Sequence, residues 1–541
     1  MCSHTDKQKS CKCHSVTKTK VKNFLKKNNK KSGAPFSVCN YGNAFTDKEI
    51  FAGEGNGRNN TRVNSSMYFR FASMTKMLGM IVLAAAMEDK YISSLDDSVG
   101  KYIDEFNGTG YYMNPNVTTN GNFDDYGSPI YTSQYSGSGS PIYDLNNCIP
   151  FELETITIRH LVTMTAGFGY SFLQTGTLRT LLNSMPNPPV DNTVCNRNVF
   201  MSWLQYIEAN KSNGYADTID SFYQSAPNSN FKETFTTSIK NRIKNIPFLF
   251  LPGSQYLYDI SPTIMGAVVG AALQKVGKKI TSVQYLQNRI LSPLGINSFW
   301  FNCGSSQPPK DVKSKITDAY FVRNNTYQSS DNSLYINTTG QGNHVETNKL
   351  YRCFNNSAIG DGFTNQTNNS FFQKLVGIKK DNLAGGYDWS GCGTLPDFCK
   401  LLKFLILKGK NAQGQQILKS QTIEWILIPK VPENQALWLY GNDTFNFSYE
   451  SSTWCGAFNK FMSNQPSLPF PCGPNTYAKQ SYFGMHYFFD TETGNYMISG
   501  TQSPGSSWYI QKPNINTLPY GTSHTPNYEP DELTLWKLTT T

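Results

Sequence analysis

Ser73-Met74-Thr75-Lys76, between Phe69-Arg70-Phe71-Ala72 and the apolar run from Met77 to Met87, decides how this chain is read. Residues three apart on a helix share a face, so the Lys76 amine reaches the Ser73 hydroxyl. A serine is a poor nucleophile until a neighbouring base takes its proton, and an S-x-x-K pair supplies that base without histidine. Chance yields a few such matches in a chain this rich in Ser and Lys, so the tetrapeptide carries weight only through its flanks. The run from Met77 to Met87 is apolar almost all round and stops at Glu88-Asp89-Lys90. That pattern predicts a buried helix, and about eleven residues are too few to cross a bilayer. Ser73 is therefore expected to open a core helix. The competing structural reading is an N-cap serine beside a solvated lysine.

Working outward, Phe69 to Phe106, with Leu95-Asp96-Asp97-Ser98-Val99 after the helix, resembles the opening of the class C β-lactamase-related family. That family also contains penicillin-binding DD-peptidases and β-lactamase-like carboxylesterases. Further blocks follow in the family's order. Ile156-Thr157-Ile158-Arg159-His160-Leu161-Val162-Thr163-Met164-Thr165-Ala166-Gly167-Phe168 is similar to the block after the first helices. Phe250-Leu251-Pro252-Gly253-Ser254 and then Tyr256 to Gly266 resemble the segment that carries the family's catalytic tyrosine. Ile290 to Ile296 and Gly391-Cys392-Gly393-Thr394-Leu395-Pro396-Asp397 match two later structural blocks.

The resemblance implies an α/β (α+β) fold of the serine β-lactamase/transpeptidase type. An antiparallel sheet flanked by helices is built from both chain ends, with a mostly helical lobe inserted. Residues 1–34 then form a basic disordered tail and 35–541 the catalytic domain. Its sheet lobe runs over about 35–105 and 375–541, and its helical lobe, with insertions, over about 106–374. Stretches rich in Gly, Asn, Ser and Tyr near 107–150, 303–372 and 440–476 read as surface insertions of the kind that rim active sites.

Carried onto this chain, the resemblance makes Tyr258 the general base, after the Pro252-Gly253 turn and before the apolar stretch Ile264 to Val276. Moving a phenol from about 10 to about 7 needs roughly 4 kcal/mol, which one cation near 4 Å at an effective dielectric of about 20 supplies. If Lys76 and a second lysine both stay protonated, Tyr258 is a phenolate; if the second lysine lowers the Lys76 pKa, Lys76 itself is the base. The second lysine is Lys479, whose register is set by Phe488-Phe489-Asp490-Thr491-Glu492-Thr493-Gly494, similar to the hairpin after the family's K-T-G or H-x-G strand. The match departs from the pattern at Gln480, Ser481 and Tyr482, where small residues and a glycine are usual. In this register Ser481 and Tyr482 bind substrate, and the backbone N–H groups of Ser73 and Tyr482 form the oxyanion hole. The family's β-lactamases carry Tyr-x-Asn, but here the triplet is Tyr258-Asp259-Ile260. The missing amide tilts the substrate from β-lactams toward esters or other amides.

Other chemistries are poorly supported. H-E-x-x-H, G-x-S-x-G, P-loop and dinucleotide motifs are all missing, and the six histidines are scattered. Ser330-Asp331-Asn332, Lys31-Ser32-Gly33, Tyr41-Gly42-Asn43 and Tyr440-Gly441-Asn442 mimic family motifs at the wrong places. No cofactor and no metal is expected, and the partner is a small-molecule or peptide substrate. Nine of the ten net positive charges fall in residues 1–31, leaving a nearly neutral body. Specific nucleic-acid binding is not expected of such a tail, which lacks interleaved aromatics. Cys2, His4, Cys11, Cys13 and His14 match no standard zinc spacing, and the nine remaining cysteines define no disulfide framework. No secretory signal and no transmembrane stretch is read, so an intracellular address is expected. The sequence leaves two rivals to a serine acyl hydrolase: an inactive relative that keeps the cleft as a binding surface, with the altered Lys479 motif recording lost chemistry, and, more weakly, a nucleic-acid or virion-surface association protein directed by the tail.

Overall fold

Residues from the two ends of the chain meet in one antiparallel sheet of eight strands. The computed structural model describes residues 18–29, 36–58, 60–113, 148–168, 248, 250–254, 256–257, 259, 261–301, 314–317, 320–322, 350–352, 387, 391–430, 437–438, 452–461, 473–481, 484–502 and 531–540. Helix α1, over 18–29, precedes β1 (Phe36–Asn43), β2 (Lys48–Arg58) and β3 (Thr61–Arg62). β4 (Phe69–Arg70) leads through a 3-10 turn, Ala72–Thr75, into α2 (Lys76–Glu88). The middle of the chain supplies β5 (Thr109–Met113), β6 (Cys148–Glu152), α3 (Ile158–Thr163), β7 (Tyr256–Leu257), α4 (Ser261–Lys275) and α5 (Ser282–Leu286). A π-helical turn, Gln287–Leu291, follows, and then β8 (Trp300–Phe301), β9 (Tyr320–Val322) and β10 (Leu350–Arg352). The last part holds β11 (Gly391–Gly393), α6 (Leu395–Ile406), α7 (Ser420–Leu427) and β12 (Leu437–Trp438). It closes with β13 (Ser452–Trp454), β14 (Asn459–Phe461), β15 (Thr476–Gln480), β16 (Met485–Asp490), β17 (Asn495–Gly500) and α8 (Asp531–Thr540).

The large sheet runs β13-β14-β15-β16-β17-β1-β2-β3, and the join between chain ends is β17 against β1, from Val38↔Gly500 to Asn43↔Asn495. Strand side chains alternate between faces. Val38, Tyr487, Phe489 and Ile498 therefore enter the main core with α2 and α6, while Cys39, Tyr41, Phe488 and Met497 line the opposite face. α1 and α8 cover that second face through Val21, Leu25, Leu535 and Trp536. Over residues 18–29, this corrects the reading of the N-terminal stretch as a disordered tail. Over 18–29 the lysines alternate with a short apolar stripe, Val21, Phe24 and Leu25, at helical spacing. The surface that rewards this stripe is assembled from distant strands, so lysine-rich composition hid it. Asn29 Nδ2 ties the end of α1 to the Glu54 carbonyl at 3.2 Å. The Cys/His cluster of the tail lies outside the described residues, as do Ser330-Asp331-Asn332 and Tyr440-Gly441-Asn442.

A second correction concerns 440–476. β13 and β14 lie inside that expected insertion and extend the large sheet. Three-residue strands carry too little alternation to stand out in a Gly/Asn/Ser-rich stretch. The 107–150 insertion is closed at its base by the β5–β6 ladder, Thr109↔Glu152 to Met113↔Cys148.

α2 is buried from Lys76 to Ala86, as its all-round apolar pattern requires. It packs closely on α4 because Gly79 has no Cβ: one placed there would lie 3.0 Å from Tyr387 Cβ and 3.2 Å from the Pro262 carbonyl. The far end of α2 is moored by Arg289 of the π-helical turn, which meets Glu88 and Asp89 at 3.2 Å each, while Tyr285 Oη donates to Asp89 at 2.6 Å. Among the described residues Cys39, Cys392, Cys399 and Cys455 are buried free thiols, and no helix is long and apolar enough to cross a membrane.

Candidate active site

Ser73 lies one step before the helix it was expected to open, in the 3-10 turn that feeds α2. In 3-10 geometry residues i and i+3 eclipse, so Ser73 and Lys76 still share a side. Both are buried, Ser73 at 9% exposure and Lys76 at 0%. The Lys76 ammonium group donates to the backbone carbonyl of Asp259 at 3.1 Å. That carbonyl is itself fixed, because Asp259 Oδ1 accepts the Ser261 N–H at 2.8 Å and so caps the start of α4. A single residue thus caps the start of one helix and aims an acceptor at the lysine of another.

The segment before Asp259 is held by the block around His160. The Gly253 N–H donates to the Thr165 carbonyl at 2.8 Å, and φ at Gly253 is +87°, a left-handed turn that favours glycine. A Cβ at Gly253 would meet His160 Nε2 at 2.9 Å. Two stretches singled out separately in the sequence therefore dock on each other and deliver the chain to Asp259. Tyr258 lies outside the described residues.

Lys479 sits on β15, which is paired with β16 through Lys479↔Tyr487 and runs past the Ser73 turn. It is 2% exposed, so it is not a charge on a solvated edge. Burial, and then the neighbouring Lys76, hold its amine well below the usual lysine range. Ser481 follows at the end of the strand and is also buried. Its N–H donates to the Met485 carbonyl at 2.7 Å and its carbonyl accepts from the Gly484 N–H at 3.0 Å. The Ser481 amide is therefore spent within the turn, while its hydroxyl is buried with no partner among the described residues. Tyr482 lies outside the described residues.

The structure thus brings Ser73, Lys76 and Lys479 into one region, with Ser481 beside it. Two contributors escaped the sequence reading. Asp259 was read only as the middle of an altered Tyr-x-Asn triplet, although an aspartate two residues before an apolar helix is a capping signal. Thr75, quoted in the sequence only as part of the tetrapeptide, is the other. Its Oγ1 accepts the Gly391 N–H at 3.0 Å, while the Phe71 N–H donates to the Gly391 carbonyl at 2.9 Å, so β11 grips the turn on both sides of Ser73.

Two solved structures share this architecture across nearly their whole length. EstCE1, described as a hydrolase with promiscuous acyltransferase activity, superposes with a TM-score of 0.52 at 13% identity, covering 93% of this chain and 98% of its own. Simvastatin synthase (LovD) from Aspergillus terreus gives a TM-score of 0.56 at 15% identity, covering 96% and 97%. At such identities the likeness is one of fold. A search of the curated proteins finds no match. The Beta-lactamase family model matches residues 150–509, a span that begins after the Ser73 turn and takes in Asp259, Lys479 and the β15–β17 strands. With about two thirds of its length matched, this chain belongs to the β-lactamase family.

Proposed function

We propose that the protein is a serine acyl hydrolase or acyltransferase that works through an acyl-enzyme on Ser73. The observation that carries this reading is the pair of buried amines beside one buried serine, with Lys76 fixed to the Asp259 carbonyl at 3.1 Å and Lys479 held low by burial and by Lys76. Two ammonium groups close together in a dry pocket repel, so one gives up its proton more readily, and a neutral amine next to a serine is what general-base activation needs. Ser73 Oγ attacks the carbonyl carbon of an ester or amide, and its proton passes to the basic group formed by Tyr258, Lys76 and Lys479. The oxyanion is received by the backbone N–H groups of Ser73 and Tyr482; the Ser481 N–H, committed to Met485, takes no part. The same proton is returned to the leaving group, and water or another acceptor then releases the acyl chain. The Ser481 hydroxyl is assigned to the substrate.

Ile260 stands where the family's β-lactamases place an asparagine amide, so simple esters and unstrained amides rank level with β-lactams as substrates. The esterase and acyltransferase descriptions of EstCE1 and LovD point the same way. The test is to mix the purified protein with a fluorophosphonate and, separately, with a β-lactam, and to weigh the intact chain. A covalent adduct on the wild type that vanishes in Ser73→Ala is the expected result. No adduct with either class of probe would overturn the reading and leave the cleft as a binding surface.

A further inference from the structure

β4, the two-residue strand that feeds the Ser73 turn, is an edge strand. In its sheet the order is β4-β11-β8, so among the described residues no strand of that sheet lies on the other side of Arg70. A side chain takes the place of that strand. The Arg70 N–H donates to Gln502 Oε1 at 2.8 Å, and Gln502 Nε2 donates to the Arg70 carbonyl at 3.0 Å. The carboxamide thus closes on the backbone of Arg70 as a neighbouring peptide would. Gln502 is fully buried and pays for this pose in backbone strain, with φ at +54°, a region that disfavours residues with a Cβ. It lies two residues beyond Gly500, the end of β17, and β17 is joined through β16 to β15, the strand of Lys479.

From this arrangement we infer that Gln502 is a positioning residue for acylation, the strut that sets the distance between the two halves of the site. One half, Ser73 and Lys76, follows Arg70 directly. The other, Lys479, belongs to the large sheet whose β17 ends just before Gln502. The inference rests on the reading of Ser73 as the acylated residue. The carboxamide makes two hydrogen bonds to one peptide, and a strained backbone is retained where the surrounding structure overdetermines it. Without the clamp β4 keeps its pairing to β11 and the packing of Phe69 on Phe36, but loses the hydrogen bonds that tie it to the end of β17. A misplacement near 1 Å is enough to slow a reaction by about 100-fold.

The test compares Gln502→Ala and Gln502→Gly with the wild type, measuring the rate constant and half-saturation of fluorophosphonate labelling at Ser73 alongside the melting temperature. Glycine relieves the left-handed strain, so Gln502→Gly is expected to melt at or above Gln502→Ala. Both variants are expected to label about 10- to 100-fold more slowly at saturation, with half-saturation changed by less than about threefold. Slow labelling in the stable glycine variant separates positioning from mere stability. Labelling of Gln502→Gly at the wild-type rate would overturn the strut while leaving the acyl-enzyme reading intact. A wild type that labels no faster than Ser73→Ala would overturn both, and the two failures are told apart by the wild type alone.

Discussion

Replacing Gly391 by alanine tests whether β11 fixes the Ser73 turn. A Cβ built on Gly391 would sit 2.8 Å from Thr75 Oγ1, 2.9 Å from Thr75 Cγ2 and 3.4 Å from Thr75 Cβ. Gly391 does not need the left-handed region, so the cost is one of space alone. Thr75 is fully buried and lies between Ser73 and Lys76. If its side chain rotates away, the Gly391 N–H loses its 3.0 Å acceptor, at about 1–3 kcal/mol for a buried donor left unmade. If instead the turn recedes to ordinary contact, overpacking costs about 1–3 kcal/mol and Ser73 moves by several tenths of an ångström. Either route is expected to lower stability by about 1–3 kcal/mol and to slow labelling of Ser73 by about 10-fold or more. Urea titration and probe kinetics read the two effects separately. The double variant Thr75→Ala/Gly391→Ala removes the clashing atoms and leaves only the 3.4 Å contact, so its stability should return to that of Thr75→Ala, a departure from additivity of about 1–2 kcal/mol. A Gly391→Ala protein with wild-type stability and labelling rate, or strictly additive variants, would refute the reasoning.

Other expectations follow from groups elsewhere in the fold. Arg289→Met should cost about 2–3 kcal/mol, because Glu88 and Asp89 are left half-buried without their guanidinium, yet labelling of the folded protein at Ser73 should be unchanged at the opposite end of α2. Denaturant titration and probe kinetics on the same preparation check both halves. Lys479 is held well below its ordinary value, so as pH falls below about 10.5 the unfolded chain takes up a proton that the native site resists, and stability declines. Lys479→Met should flatten that slope in unfolding measured from pH 10.5 downward, while abolishing labelling. Burial pushes His486 down to about 3, so its contribution to stability is whole above about 6.5 and is lost as pH falls toward 3, at up to about 1.4 kcal/mol per pH unit. His486→Leu should shift the acid unfolding midpoint to lower pH; an unchanged midpoint would contradict this.

What could be read before folding was what repeats locally. The Ser73–Lys76 spacing and the all-round apolar run after it needed only helical periodicity, and α2 forms where they put it. Lys479 was found because the run Phe488 to Gly494 resembles the family's hairpin, which here is the turn between β16 and β17, where Asp490 Oδ1 accepts the N–H groups of Glu492 and Thr493, and Gly494 takes φ of +77°. Such turn chemistry is written in adjacent residues. The stripe of Val21, Phe24 and Leu25 was also present, but a three-residue signal in a lysine-rich segment has no weight until the surface it covers is known.

The sequence by itself singled out the Ser73–Lys76 pair, because helical spacing is a relation among a few residues, while the order of the blocks and the antiparallel α/β type followed from the family resemblance. Tertiary structure alone decided that Asp259 receives Lys76 across 183 positions, that Gly391 grips Thr75 across 316 and that Gln502 clamps Arg70 across 432. It also decided the character of Lys479, since burial and the approach of a second amine are created only when both chain ends close into one sheet. Local patterns encode which face is apolar; they do not encode which distant group will meet it.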